Sequence, residues 1–250
     1  MTRKRTDPPT TDRPEKETEE DRRELRVNAS PEQLYRAWAD PDIIAGWFAD
    51  RAWGDAQPGG ELTHFFEAFG MEMTYRVLEA EAPRRLVLEG RSPGGEPYRQ
   101  EIHVRQDGGQ TVLELVHSGF ADDSDWDDEY EGIDSGWQLA LAVLRHYLEN
   151  HFAREKKTLF FARPVDFSWS EVAPLFRSEE GLASWLTDSG AVTEVGTTAS
   201  LALQGAGSLN GRVLADSGRE VALEWTEIEG ILELKAFGGG PWPKTLALRV

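Results

Sequence analysis

The feature that most constrains the fold of this 250-residue chain is a change in hydrophobic period near residue 134. Before this point apolar and polar residues alternate, as they do from Met71 to Val77, which indicates antiparallel strands with one polar face. After it, apolar residues recur about every 3.6 positions, which predicts one long amphipathic helix over 135–161. A strand meander followed by a single helix predicts an α+β fold in which a curved antiparallel sheet wraps around that helix.

Two short helices are predicted before the meander. Ser30-Pro31 supplies an N-cap and a proline at the first helical position, and Asp40-Pro41 separates this helix from the next. Pro58-Gly59-Gly60 is a turn signal, and Asp107-Gly108-Gly109 is typical of a hairpin between two strands. The predicted order is therefore a strand, two short helices, an antiparallel meander and a long helix.

Charge and composition exclude several classes of partner and site. Residues 1–22 contain no apolar side chain after Met1, so we predict a disordered tail, and no signal peptide is predicted because no apolar segment follows the basic start. The net charge of −18 argues against nucleic acid and anionic membranes as partners. The chain has no cysteine, which excludes disulfides and thiolate ligands and, with the absence of an export signal, predicts a cytoplasmic location.

Three motifs of the first 162 residues resemble a known superfamily. They are VNASPEQLYRAW at 27–38, IIAGWF at 43–48 and the Pro58-Gly59-Gly60 turn, and they resemble the opening of the START-like, helix-grip (SRPBCC) superfamily. HSGF at 117–120, followed by Gly136-Trp137 and the leucine-rich helix, resembles the branch named for activators of the heat shock protein 90 ATPase. Over about 24–162 the resemblance implies a helix-grip fold with an internal apolar cavity. It also implies binding of apolar small molecules or a chaperone-cofactor role in the stress response.

The remaining residues carry a weaker internal repeat at an offset of 138 positions (172 − 34). Val172, Phe176, Leu182, Trp185 and Leu186 then fall on Leu34, Trp38, Ile44, Trp47 and Phe48, respectively. Chance similarity between short amphipathic segments is the alternative explanation. No long helix follows the strand-like segment at 245–250. We therefore predict a disordered tail (1–22), a START-like domain (23–162) and an incomplete second START-like domain without a closing helix (163–250).

An open sheet in the second segment would leave an apolar face bare. The predicted inward residues are Leu201, Leu203, Val221, Leu223, Trp225, Ile231, Leu232 and Leu234. Burying a patch of several hundred Å² contributes roughly 5–10 kcal/mol, so we expect this segment not to fold alone. Its cover would be the first domain, a protein partner, or a second copy of the chain in a homodimer.

The polar motifs do not predict a metal, a cofactor or a catalytic residue. His146 and His151 would lie about 140° apart on a helix, so a metal pair is not predicted. The acidic run at 121–134 lacks the glycine of an EF-hand, and we interpret it as a solvated loop. His64, His103 and His117 lie on strands and would face either the cavity or solvent, with no nucleophile at a fixed spacing.

The remaining candidate site is an apolar cavity between the long helix and the sheet, although the same residues would form an ordinary core if the cavity were filled. Its predicted ligand-binding residues are Trp38, Phe66, Met73, Tyr75, Tyr98, Ile102, Leu113, Trp137, Leu141, Leu144 and Leu148.

We favour a non-enzymatic protein that binds a hydrophobic small molecule or assists a chaperone or other protein. The alternative is an enzyme of the polyketide cyclase or aromatase type, which would use a polar residue in the cavity. A buried histidine pointing into a sealed pocket favours the enzyme, and an empty apolar pocket favours the binding protein. A filled core with an exposed acidic or aromatic patch favours the partner protein.

Overall fold

The computed structural model describes residues 20–92, 95–119, 126–239 and 242–250. Within these ranges the protein is an α+β protein with two curved antiparallel sheets of seven strands each and few helices. We call residues 20–150 the first unit and residues 160–250 the second unit. No helix of the described residues is both long and apolar enough to span a membrane.

The first sheet has the order β1-β7-β6-β5-β4-β3-β2. Its strands are β1 (Asp21–Val27), β2 (Arg51–Gly54), β3 (Glu61–Phe66), β4 (Met71–Glu81), β5 (Arg85–Arg91), β6 (Pro97–Asp107) and β7 (Gln110–Ser118). Helices α1 (Pro31–Ala39) and α2 (Pro41–Trp47) connect β1 to β2, and the long helix α3 (Trp126–Asn150) follows β7. The order of elements is the one that the hydrophobic periods predict.

Helix α1 begins where its capping residues predict. The Ser30 hydroxyl accepts from the Gln33 amide nitrogen at 3.2 Å, and the Gln33 side chain accepts from the Ser30 amide nitrogen at 2.9 Å. This reciprocal capping box satisfies two amide groups that a helix start leaves unpaired. The Trp47 indole then donates to the Ala37 carbonyl at 2.8 Å, which ties α2 to α1.

The start of the first sheet lies inside the segment that we expected to be disordered. Strand β1 begins at Asp21, whereas the tail is predicted over 1–22, of which 1–19 lie outside the described residues. Backbone pairing of Asp21 with His117 orders these polar residues although they contribute no apolar side chain. Arg23 reinforces the start of the strand by an ion pair with Asp21 at 2.7 Å.

Helix α3 lies earlier in the chain than the prediction of 135–161. It spans Trp126–Asn150, so part of the acidic run predicted as a loop is helical. The chain turns at Ala153, whose φ of 62° is left-handed, and Phe160 then pairs with Arg249 in the second sheet. Phe152 packs against the first core from this turn, which explains why it matches the helical period without belonging to the helix.

The early end of α3 also overturns the prediction for His146 and His151. His151 lies in the turn after Asn150, so the angular spacing of an α-helix does not apply to it. The Nε2 atoms of His146 and His151 are 3.2 Å apart. The prediction that the two side chains point away from each other is therefore wrong.

The second sheet has the order β8-β14-β13-β12-β11-β10-β9. Its strands are β8 (Phe160–Pro164), β9 (Thr187–Ser189), β10 (Thr198–Leu203), β11 (Gly207–Asp216), β12 (Glu220–Trp225), β13 (Gly230–Gly239) and β14 (Trp242–Arg249), with helices α4 (Trp169–Arg177) and α5 (Glu179–Ala183) between β8 and β9. The unit begins at Phe160 rather than at 163, because β8 pairs with β14.

The two units share several features at a spacing of 138 residues. Helices α1 and α4 begin and end 138 positions apart, and each begins with a capping box. The Trp185 indole donates to the Leu175 carbonyl at 3.3 Å, 138 positions after the equivalent bond in the first unit. The strand order is also the same in both sheets.

Helix α3 lies between the two sheets and contacts both. Its face with Trp137, Leu141 and Leu144 belongs to the core of the first unit. Its other face places Leu139 against Ala215 and Ala222 of the second sheet. One helix therefore covers a face of each sheet.

The inward face of the second sheet does not need the cover that we expected. Leu201, Val221 and Leu223 are buried in one core with α4 and α5, so the prediction of a bare face is wrong. Ile231 belongs to the opposite face, where it packs with α3. The two short helices suffice to bury the inward face, and the first unit covers the other one.

A buried group of charged residues joins the two units. Glu233 is 4% exposed, and its carboxylate is 3.0 Å from Lys235 Nζ and 3.5 Å from Arg249 Nη1. Lys156 donates to the Ala49 carbonyl of the first unit at 2.7 Å. Burial, together with Arg249, lowers the pKa of Lys156 to about 7.

Candidate ligand-binding site

The register of the first sheet brings polar and aromatic side chains together at one end of its core. His64 on β3 and Tyr75 on β4 share the inward face, because Leu62 pairs with Tyr75 and residues two apart face the same way. On the neighbouring strands, Gln100 of β6 pairs with His117 of β7. Four strands, β3, β4, β6 and β7, thus contribute side chains to this end of the core.

Six rings at this end form a closed sequence of contacts, which we call the ring circuit. Its members, in order of contact, are Trp137, His117, Tyr98, Tyr75, His64 and Phe48, which contacts Trp137 again. The centroid separations run from 5.0 Å for His64 and Tyr75 to 6.1 Å for Phe48 and Trp137. Such separations are typical of aromatic contacts.

One hydrogen bond fixes the state of His117. The Trp137 indole donates to His117 Nδ1 at 3.1 Å, so this nitrogen carries no proton and the neutral ring carries its proton on Nε2. Burial lowers the pKa of His117 to about 4. The ring is therefore a neutral donor at physiological pH.

His64 lies in the same circuit without a hydrogen-bond partner for either ring nitrogen among the described residues. It is 5% exposed and contacts the rings of Phe48 and Tyr75. Burial lowers its pKa to about 4, because removal from water penalises the charged imidazolium. The neutral His64 ring thus offers one N–H donor and one nitrogen acceptor within an apolar environment.

The two tyrosines supply phenol groups, and a glycine makes room for one of them. Burial raises the pKa of Tyr75 well above its ordinary value and also raises the pKa of Tyr98, so both hydroxyls keep their protons. A Cβ added at Gly90 would lie 2.5 Å from Tyr98 Cζ. The missing side chain at Gly90 lets the Tyr98 ring lie over β5.

The structure gathers the predicted cavity residues in one core. Trp38, Tyr75, Ile102, Leu113, Trp137, Leu141, Leu144 and Leu148 are buried there, and Met73 and Tyr98 pack against it. Phe66 contacts the Phe48 ring at 5.5 Å. Their role in ligand binding stays a prediction.

Four residues of this end are absent from the predicted set: Phe48, His64, Gln100 and His117. Strand alternation carries the signal for two of them, because His64 is in phase with Leu62 and His117 is in phase with Leu115. His103 lies on the outer face instead, with its Nε2 3.3 Å from a carboxylate oxygen of Glu101.

The chemistry of the ring circuit is neutral. Its polar groups are two uncharged imidazoles, two phenols and the Trp137 indole, and Trp38 nearby has an indole N–H without a partner among the described residues. No group of three or more His, Asp or Glu side chains in the described part of the chain is arranged to hold a metal. The arrangement suits contact with flat rings that carry uncharged hydroxyl or carbonyl groups.

Comparison with solved structures gives matches of low identity. The Aha1 dimer from Colwellia psychrerythraea is 17% identical, covers 52% of this chain and 96% of its own, and has a TM-score of 0.47. CalU16 from Micromonospora echinospora is 24% identical over 53% of this chain and 85% of its own, with a TM-score of 0.43. DynU16, from the dynemicin biosynthetic locus, is 19% identical, covers 92% of this chain and 85% of its own, and has a TM-score of 0.48.

The sequence comparisons concern the first unit. No curated protein matches this chain. Residues 28–149 match the sequence profile described as Activator of Hsp90 ATPase homolog 1-like protein, and this range runs from the end of β1 almost to the end of α3. The first unit of this chain is therefore similar to the Activator of Hsp90 ATPase homolog 1-like family over residues 28–149.

Proposed function

We propose that the first unit binds an aromatic, largely apolar small molecule against the ring circuit. The observation that carries this proposal is a closed sequence of six rings with unpartnered polar nitrogens at its edge. A buried polar group that lacks a partner costs about 1–3 kcal/mol, and a ligand hydroxyl or carbonyl would recover that energy. Among the described residues, His64 and Trp38 present such nitrogens.

The apolar part of the core supports the size and polarity of this ligand class. Phe48, Met73 and Tyr98 are partly exposed, whereas Leu144 and Ile102 are fully buried. The ring circuit thus lies between the surface and the deepest part of the core. A flat molecule entering there would contact aromatic faces first and aliphatic side chains behind them.

Binding is better supported than the alternative of a cyclase-type enzyme. A buried histidine in an apolar site is the feature that would favour catalysis, and His64 has that position. However, its pKa of about 4 makes it a weak base at pH 7, because general bases work best when their pKa lies near the working pH. We therefore assign His64 to ligand recognition.

We also propose that the second unit is a partial second copy of the first. The shared strand order, the helices 138 residues apart and the repeated indole-to-carbonyl bond support this origin. The second unit has no counterpart of the ring circuit among its described residues, and it packs on α3 through Ala215 and Ala222. Its proposed role is to support α3, from which Trp137 reaches the ring circuit.

Gly90→Ala tests the ligand site. The added methyl group would collide with the Tyr98 ring and push it toward the centre of the circuit. We expect binding of 2-naphthol, a neutral bicyclic phenol used as the probe, to weaken about 10-fold, which is about 1.4 kcal/mol. Quenching of tryptophan fluorescence measures the affinity, and native mass spectrometry of protein from its own host detects a retained molecule.

Gly136→Ala is the matched control, because nothing lies within 4 Å of the position of its added Cβ. This variant should bind 2-naphthol like the wild type. The proposal is wrong if the wild type neither retains a small molecule nor binds 2-naphthol. Equal binding by both variants, with Gly90→Ala still folded, would place the site elsewhere and leave the partner-protein role as the better explanation.

A further inference from the structure

A second pocket lies between the two units, away from the ring circuit. The C-terminal end of α3 and the β12–β13 connection enclose a pocket of about 120 Å³. Its polar lining consists of His146, Asn150, His151, Glu224 and Glu229, with Trp225, Thr226 and Gly230 completing the wall. Two imidazoles and two carboxylates therefore share one small space.

The two imidazoles have the spacing of a ligand pair. In this structure one Nε2 donates to the other at 3.2 Å, and the ring centroids are 5.0 Å apart. Two nitrogens bound at about 2.0–2.1 Å to one tetrahedral ion lie roughly 3.3–3.4 Å from each other. The separation of the two Nε2 atoms is thus close to that of two ligands of one ion, and an ion would replace the proton that they share.

The electrostatics of the pocket favour a cation. Glu224 and Glu229 supply negative charge, although Arg154 pairs with Glu229 at 2.8 Å. The last carbonyl groups of α3 add the partial negative charge of a helix C-terminus.

A neighbouring amide can fix the orientation of one ring. The Asn150 side-chain nitrogen lies 3.4 Å from His146 Nδ1, which needs an acceptor once Nε2 binds a metal. Turning the amide over would present its oxygen to that Nδ1–H, at the loss of the 3.0 Å bond that the amide nitrogen donates to the His146 carbonyl. The two orientations of an asparagine amide have nearly the same shape.

We propose that His146 and His151 bind one divalent transition-metal ion through their Nε2 atoms and thereby link α3 to the second sheet. Imidazole ligands favour Zn²⁺, Ni²⁺ or Cu²⁺ over Mg²⁺ and Ca²⁺. The described residues do not already form a cluster of three protein ligands, so water occupies the other positions unless Glu224 or Glu229 rotates inward. The ion would be shared between the units.

Calorimetry with ZnCl₂ on the full chain, in a buffer with excess Mg²⁺ to occupy weak acidic sites, tests this proposal. We expect one Zn²⁺ per chain and at least 10-fold weaker binding in both His146→Gln and His151→Gln. Co²⁺ should give the visible absorption of a nitrogen-ligated tetrahedral ion in the wild type and lose it in both variants. His151→Gln keeps the test valid if the more buried His146 is needed for folding.

His103→Gln is the control, because His103 also lies beside a carboxylate but on the outer face of the first sheet. It should bind Zn²⁺ like the wild type. Absence of Zn²⁺ uptake by the wild type would overturn the proposal. Unchanged uptake by His151→Gln and His146→Gln would also overturn it and assign the ion to other side chains.

Discussion

His64→Phe is expected to reduce the acid-induced loss of stability by about 3 kcal/mol. The folded state lowers the pKa of His64 from 6.5 to about 4, and each pKa unit is worth about 1.4 kcal/mol. Between these two pH values the imidazole of His64 is protonated in the unfolded chain and neutral in the folded chain. Stability therefore falls as the pH decreases from 6.5 to 4, and phenylalanine removes this contribution.

Urea unfolding at several pH values measures the effect as a difference between variant and wild type, so that other titrating groups cancel. His117, whose pKa is also lowered to about 4, should keep part of the acid sensitivity in the variant. His103→Gln, on the outer face, should retain the wild-type curve. Parallel curves for wild type and His64→Phe would show that His64 is hydrated rather than enclosed.

Glu233→Ala should destabilise the protein by about 3–5 kcal/mol, the cost of removing one partner from a buried ion group. Burial alone would raise the pKa of Glu233, but Lys235 and Arg249 outweigh it and hold the pKa below the ordinary value. Without this carboxylate two cations lie at the junction of the units. Glu220 is a weaker partner for Lys235, because its carboxylate lies 3.9 Å from Lys235 Nζ.

Thermal and urea unfolding at pH 7 measure this loss. Glu67→Ala is the matched control, because Glu67 pairs with Arg51 at 3.2 Å on the surface and should contribute less than about 1 kcal/mol. Adding Lys235→Met to Glu233→Ala should recover part of the loss, since it removes one uncompensated charge. A loss as small as that of Glu67→Ala would mean that water solvates the group.

Some of the candidate site could be predicted from alternation alone. Tyr75 and Ile102 face the core because each lies in phase with apolar neighbours on its own strand. Gly90 was not predictable in this way, because its importance depends on the Tyr98 ring of the next strand. The register between strands, set by many weak contacts, decides which side chains meet.

The contact between His146 and His151 also could not be predicted from local sequence patterns. The sequence places His146 and His151 five positions apart, which on a continuous helix separates them. Their contact depends on the end of α3 at Asn150, and that end is linked to the pairing of Phe160 with Arg249. The pairing joins residues 89 positions apart (249 − 160), and no local pattern reports such a contact.

The sequence by itself determined the order of the elements in the first unit and its resemblance to a known family. Local signals are sufficient for this, because a capping box, a turn glycine or a hydrophobic period acts within a few residues. Only the tertiary structure decided that α3 serves both sheets and that His64 joins a circuit of rings. Those outcomes depend on the register and packing of segments that are distant in the sequence. The free energy of that packing is the sum of many contacts throughout the core.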